Sequence, residues 1–198
     1  MDNIKELMQT LPEYNCDNLK IPGELKQNAK NLCYRYSCQQ NTEEESKEIL
    51  KQLFGTSSEM MVISPGFRCD YGFNIHIHGL AVINYNCVIL DTSPVHLGEN
   101  IFIGPNVCIS CAGHSLDAVQ RANAICTSRS IHIGKNVWIG ANSVICGGVT
   151  IGDNSVIGAG SVVTKDIPSG VVAVGSSCKA IREITEDDVI KPEDLLQL

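Results

Sequence analysis

The sequence predicts a mainly β protein: a solenoid of short parallel strands, or β-helix, preceded by an α-helical segment and followed by a short tail. Three observations carry this. Aliphatic residues recur every six positions through most of the second half. Asparagine and glycine recur at one phase of that rhythm. The first fifty-odd residues carry a helical period instead.

The rhythm is clearest from Ile133 onward, which reads IGKNVW, IGANSV, ICGGVT, IGDNSV, IGAGSV, VTKDIP. These hexads open at Ile133, Ile139, Ile145, Ile151, Ile157 and Val163. Upstream, hexads open at Leu97, Ile103 and Ile109, and earlier at Ile77, Ile83 and Ile89, with a two-residue slip before Leu97. A period of six fits neither an amphipathic helix nor a plain alternating strand. It fits flat strands joined by regular corners. Each opener points inward, as does the small or β-branched residue four places later: Val137, Ser143, Val149, Ser155 and Ser161. Asparagine and glycine suit corners because positive φ costs them little. Three hexads make one triangular coil, and coils stack about 4.8 Å apart. One coil cannot bury its own faces, so several must stack.

Residues 1–55 are expected to be helical. ELKQNAKNLCYRY places Leu25, Ala29, Leu32, Cys33 and Tyr36 on one stripe. NTEEESKEILKQLFG opens with Thr42 and Glu45 at capping-box spacing. Ile49, Leu50, Leu53 and Phe54 form its apolar face, and Gly55 can end it. This helical pair is expected over the first coil, with the coil spanning 56–175 and a tail over 176–198. DDVIKPEDLLQL reads as a last helix or a loose tail.

The chain has 198 residues, 43% hydrophobic and 19% charged, enough apolar material for one core and too little charge for general disorder. A formal net charge of -7 disfavours nucleic acid or an anionic membrane as the main partner. No run approaches the ~18 apolar residues of a membrane span. MDNIKELMQTLPEYN lacks the order of a secretion signal, so a cytoplasmic protein is expected. The ten cysteines then read as reduced, mostly buried thiols.

The rhythm breaks at CAGHSLD. Hexad ISCAGH ends at His114, and the next opener is Ile131 or Ile133, so residues 115–129 read as a loop leaving the coil. Long loops in compact domains are usually functional or disordered. His114 sits where a rigid coil hands over to that loop, a suitable place for a held catalytic base. A corner histidine bonded to backbone is the plainer reading.

The stretches GFRCDYGFNIHI and NVWIGANSVICGGVTIGDNSVIGAGSVVTKDIP, with the histidine and its loop, resemble the maltose and galactoside O-acetyltransferases of the hexapeptide-repeat acyltransferases. The likeness covers nearly the whole chain. It implies a left-handed parallel β-helix, a handedness that periodicity cannot show. It also implies a homotrimer with active sites between subunits, and acetyl transfer from acetyl-coenzyme A (acetyl-CoA) to a sugar hydroxyl. By motif match, His114 is the general base and Asn84 lies near the acetyl and acceptor groups. Asp70 and Asp91 fall on the acceptor side, and Asp17 aligns more weakly with an acceptor-binding aspartate. Trp138 matches the pantetheine channel, and Ala141 and Ala159 match positions that bond the pantetheine amides. Thr164, Lys165, Lys179 and Arg182 match the nucleotide end, the basic ones as a small cationic group. The bland alternatives are polar corners for the aspartates, an indole packed on the neighbouring coil, and solvated surface lysines.

Two departures stand out. Related enzymes often carry a glutamate near the end of the loop, where this chain has Ile125, and the galactoside enzymes have serine where Ala141 stands. Two rivals follow. One is a catalytically silent binding or scaffold module. The other is a metalloenzyme similar to the γ-class carbonic anhydrases, with His76, His78 and His114 as ligands, or with Cys108, Cys111 and His114 as a zinc-like spacing. The thioester chemistry itself needs no metal, and none is expected.

Overall fold

A computed structural model describes residues 2–196. Helix α1 (Asp2–Thr10) and a strand, Glu13–Asp17, precede α2 (Gly23–Cys38) and α3 (Glu43–Leu53). The N-terminal segment therefore holds three helices and one strand, where the apolar periodicity predicted two helices. The stripe of α2 is buried at Ala29, Leu32 and Cys33. The capping box of α3 forms in full: Glu45 N–H donates to Thr42 Oγ1, and Thr42 N–H donates to the Glu45 carboxylate at 2.8 Å. Gly55 follows α3 for a different reason from the one its position suggests. Its φ is not positive. A Cβ there would collide with the carbonyl of Phe73 and with His76, so close backbone approach is what excludes a side chain.

From Met61 the chain winds through three parallel sheets that repeat in order. The first sheet has Met61–Ile63, Ala81–Ile83, Ile101–Ile103, Trp138–Ile139, Val156–Ile157 and Val171–Val174. It is closed by Lys179–Glu183, which turns back antiparallel. The second has Arg68–Cys69, Val88–Leu90, Cys108–Ser110, Val144–Cys146 and Val162–Val163. The third has Ile75–Ile77, Val95–Leu97, Ile131–Ile133 and Thr150–Ile151. Every hexad opener from Ile133 to Val163 is at most 3% exposed, and the residues four places on are at most 4% exposed. Single rows of aliphatic side chains thus stack coil upon coil along the axis.

The first corner, between the first and second sheets, and the third corner, between the third and first, turn on left-handed residues. Asn86, Asn106 and Asn142 hold φ of 58°, 59° and 59° at the first corner, and Gly160 follows at 71°. Asn100, Asn136 and Asn154 do so at the third, where their amides form a ladder with bonds of 2.9 and 2.8 Å. The second corner is irregular. Two residues are added between Cys69 and Ile77 and again between Ile89 and Leu97, relative to a plain hexad. The second of these additions is the slip seen in the sequence. The buried Asp91 fills the wider turn by accepting the N–H groups of Asp70, Tyr71 and Asn74.

The stretch read as a loop is largely ordered. It carries a short helix, α4 (Ala118–Ala122), and a strand, Ile125–Arg129. That strand lies between Ala112–His114 and Glu13–Asp17 in a three-stranded antiparallel sheet. Among the described residues, the tail after Gly175 holds the antiparallel strand and two single turns of 3-10 helix and no α-helix. The last two residues of DDVIKPEDLLQL lie outside the described residues.

Candidate active site

His114 ends a strand whose partner, Ile125–Arg129, brings Cys126 directly opposite. The backbone bond is made one residue on, between Ser115 N–H and the Ile125 carbonyl. His114 and Cys126 are therefore a non-hydrogen-bonded pair, the kind whose side chains approach most closely. Cys126 Sγ lies 3.5 Å from His114 Nδ1. This thiol stands where the absent loop glutamate would be sought, since the neighbouring Ile125 offers no polar atom. Among the described residues the Nε2 of His114 takes no partner, and the ring is exposed.

His114 lines a cavity of about 300 Å³ with Tyr14, Lys26, Asp70, Thr92, Cys126 and Ser128 among its walls. Lys26 Nζ pairs with Asp70 at 3.1 Å. Ser128 Oγ shares hydrogen bonds of 2.6 and 2.7 Å with Thr92 and Ser93, and Tyr14 O–H donates to the Thr92 carbonyl. Burial raises the Tyr14 phenol, so it stays a neutral donor.

The predicted acceptor residues divide. Asp70 lines this cavity. Asp91 is a correction: it is 0% exposed, and its oxygens are spent on three backbone N–H groups. Burial pushes its carboxyl up to about 7, against the pull of those donors. It shapes the corner and cannot touch a ligand; its neighbour Thr92 reaches the cavity instead. Asp17 lies one residue out of phase with Cys16, on the opposite face of its strand. There it caps a 3-10 turn through Leu19 N–H and lines a separate apolar cleft with Ile4, Leu7 and Met8. Tyr14, Lys26, Thr92, Cys126 and Ser128 were not singled out from the sequence. The N-terminal strand joins the site only through antiparallel pairing, for which a single short polar strand gives no periodic signal.

Asn84, Ala141 and Ala159 stack on the first corner in separate coils, with Trp138 beside them on the first sheet, 56% exposed. His114, Thr164 and Lys165 belong to the second corner, across the second sheet. The chain therefore does not bring Asn84 to His114. The basic residues lie on different elements. Lys179 lies opposite Val174 on the antiparallel strand that closes the first sheet. Arg182 is held by Asp188 through two 2.7 Å bonds.

The metal-ligand candidates also separate. Cys111 is buried while Cys108 is half-buried on the second sheet, and His76 stacks on His96, which stacks on His132, along the third. His78 Nε2 lies 3.3 Å from His96 Nδ1. Among the described residues no three His, Cys, Asp or Glu side chains converge to hold a metal.

Known proteins match this architecture. The bacterial transferase hexapeptide (six repeats) family model matches residues 130–165. The galactoside O-acetyltransferase of Escherichia coli is 45% identical over 166 residues, 83% of this chain and 82% of that one. The chain belongs to the maltose and galactoside O-acetyltransferase family. Solved structures of hexapeptide-repeat acetyltransferases agree. A maltose O-acetyltransferase from Clostridium difficile 630 superposes with a TM-score of 0.78 at 42% identity, covering 82% of this chain and 88% of that one. A Vibrio cholerae enzyme complexed with acetyl-CoA gives 0.85 at 33% identity, covering 92% and 99%. Within this acetyltransferase fold, the irregular second corner is where polar side chains and an open cavity meet.

Proposed function

We propose that the chain transfers an acetyl group from acetyl-CoA to a hydroxyl of a sugar, with His114 as general base. The observation that carries this reading is the free Nε2 of His114, on a ring whose Nδ1 is engaged by Cys126, at a cavity walled by hydroxyls and the Asp70–Lys26 pair. A sugar hydroxyl is a poor nucleophile at neutral pH. His114 Nε2 takes its proton, the oxygen attacks the thioester carbonyl, and the carbon–sulfur bond breaks. The imidazolium then returns the proton to the departing coenzyme A sulfur. Asp70, Lys26 and Thr92 would grip neighbouring hydroxyls, and Asn84 would orient the acetyl group or its oxyanion.

The two edges of the second sheet favour a shared site. Trp138, Ala141, Ala159 and Asn84 would line the pantetheine along the first corner, while His114, Thr164 and Lys165 stand on the second. Docking the first corner of one subunit against the second corner of the next brings both sets together. Such a head-to-tail contact closes into a ring, here a homotrimer. Lys165 and Lys179 would meet the nucleotide phosphates, and Arg182 would have to release Asp188 to join them. The family pattern and the absence of a spanning helix among the described residues fit a cytoplasmic setting.

The test is thiol release from acetyl-CoA against a sugar panel. Acceptor-dependent release should fall about 10²–10⁴-fold in His114→Ala. Unchanged release in the variant would refute the base assignment, and a monomer by light scattering would refute the shared site.

A further inference from the structure

The three-stranded sheet beside the coil aligns three reactive side chains in one row. Its register pairs Cys16 with Cys126, and Cys126 with His114. All three line the same cavity. Backbone bonds join Asn18 to Ala124 and Ser130 to Pro12. By alternation, Cys16 and Cys126 are a hydrogen-bonded pair, with Cα atoms about 5.5 Å apart, inside the ~4.4–6.8 Å window of a disulfide. Both thiols are half-buried at an open cavity, within reach of a small solute. Cys33 and Cys69 are in direct contact, Sγ to Sγ 3.7 Å, but both are buried.

We propose that Cys16 and Cys126 form a dithiol that low-molecular-weight disulfides convert to a cross-strand bridge, shutting the cavity beside His114. Burial raises both thiols, so the first attack needs a base, and His114 Nδ1 is the one at hand. In the tautomer that carries its hydrogen on Nε2, it takes the Cys126 proton. The thiolate attacks the disulfide, forms a mixed disulfide and expels one small thiolate, which is protonated. Cys16, losing its proton to solvent, then attacks the Cys126 sulfur and expels the second. Two protein thiols and one small disulfide become one protein disulfide and two small thiols. The Cβ atoms of such a pair must draw in to about 3.8 Å. The bridge is therefore strained and readily reduced, as a reversible switch requires. It also draws Cys126 off His114. The loss of transfer rests on the function proposed above; the bridge itself does not.

The experiment equilibrates the full chain with reduced and oxidised glutathione, then quenches, alkylates and maps the peptides. A Cys16–Cys126 link is expected, removed by dithiothreitol. Cys16→Ser should stop at a glutathione adduct on Cys126, and His114→Ala should form the link more slowly. Acetyl transfer by the oxidised protein should fall about 10²-fold, the cost of ~1 Å of misplacement, and return on reduction. Free thiols at both positions, or a link only between Cys33 and Cys69, would overturn the proposal. A link that leaves transfer unchanged would overturn its closing role. If no sugar supports transfer, the peptide map still decides the bridge.

Discussion

The first and second corners flank the same sheet but are built on different principles. The first turns on Asn86, Asn106, Asn142 and Gly160, all with positive φ. Each solves its turn locally, with its own backbone. The second turns through Asp91, the Ser93–Ser128 bond and an inserted antiparallel hairpin, and it is solved by partners many residues away. Regular corners make a flat, repetitive edge. The irregular one makes a cavity, because added residues and a borrowed N-terminal strand leave room between them.

Breaking the second corner should cost most. Asp91→Ala strands the N–H groups of Tyr71 and Asn74 in the interior, while Asp70 N–H keeps the Ile89 carbonyl, and each buried orphan costs about 1–3 kcal/mol. A loss of at least about 2 kcal/mol is expected in urea unfolding, with Asp91→Asn retaining part of it. A loss under 1 kcal/mol would show that this corner does not depend on the carboxylate.

The first corner should yield less. Asn142→Ala places a Cβ at φ 59° and should cost about 1–2 kcal/mol, whereas Asn142→Gly should be near neutral. Equal losses for the two would mean that the amide, not the backbone, holds the turn.

Thr92→Val tests the cavity of the second corner without touching the coil. Tyr14 donates to the Thr92 carbonyl, which the change keeps, so melting temperature should hold. If the hydroxyl grips acceptor, KM for the sugar should rise about fivefold to tenfold, one hydrogen bond's worth. An unchanged KM removes Thr92 from the acceptor site.

The smallest effect lies on the third sheet. Burial holds the His96 imidazole down to about 4, and the neighbouring His76, His132 and His78 add to this. Between pH 6.5 and 4 the unfolded chain binds this proton and the folded chain does not. Stability should therefore rise with pH across that window. Melting temperature should fall on acidification from pH 7 to 4.5, and His96→Asn should lessen the fall. An identical slope in the variant would place the acid sensitivity elsewhere.

Legibility follows the same division. The hexad openers, the inward serines and valines and the capping box of α3 were readable because each is a local pattern with one structural solution. The position of His114 was readable because it stands where a strict period stops. For Asp91 the sequence leaves two readings, an acceptor contact or a polar corner, and only its enclosure by Asp70, Tyr71 and Asn74 favours the corner. Cys126 was invisible beside Ile125, since its contact with His114 depends on the strand opposite.

What the sequence determined by itself was the coil, because a six-residue period permits only flat strands and regular turns, and burial of the openers then sets which way every side chain faces. What only the tertiary structure decided was the site. The Glu13–Asp17 strand pairs with Ile125–Arg129 across more than a hundred residues, and no local pattern specifies a long-range antiparallel register. That pairing places Tyr14 and Cys16 beside His114, turns Asp17 away, and leaves the two halves of the predicted machinery on opposite edges of one sheet.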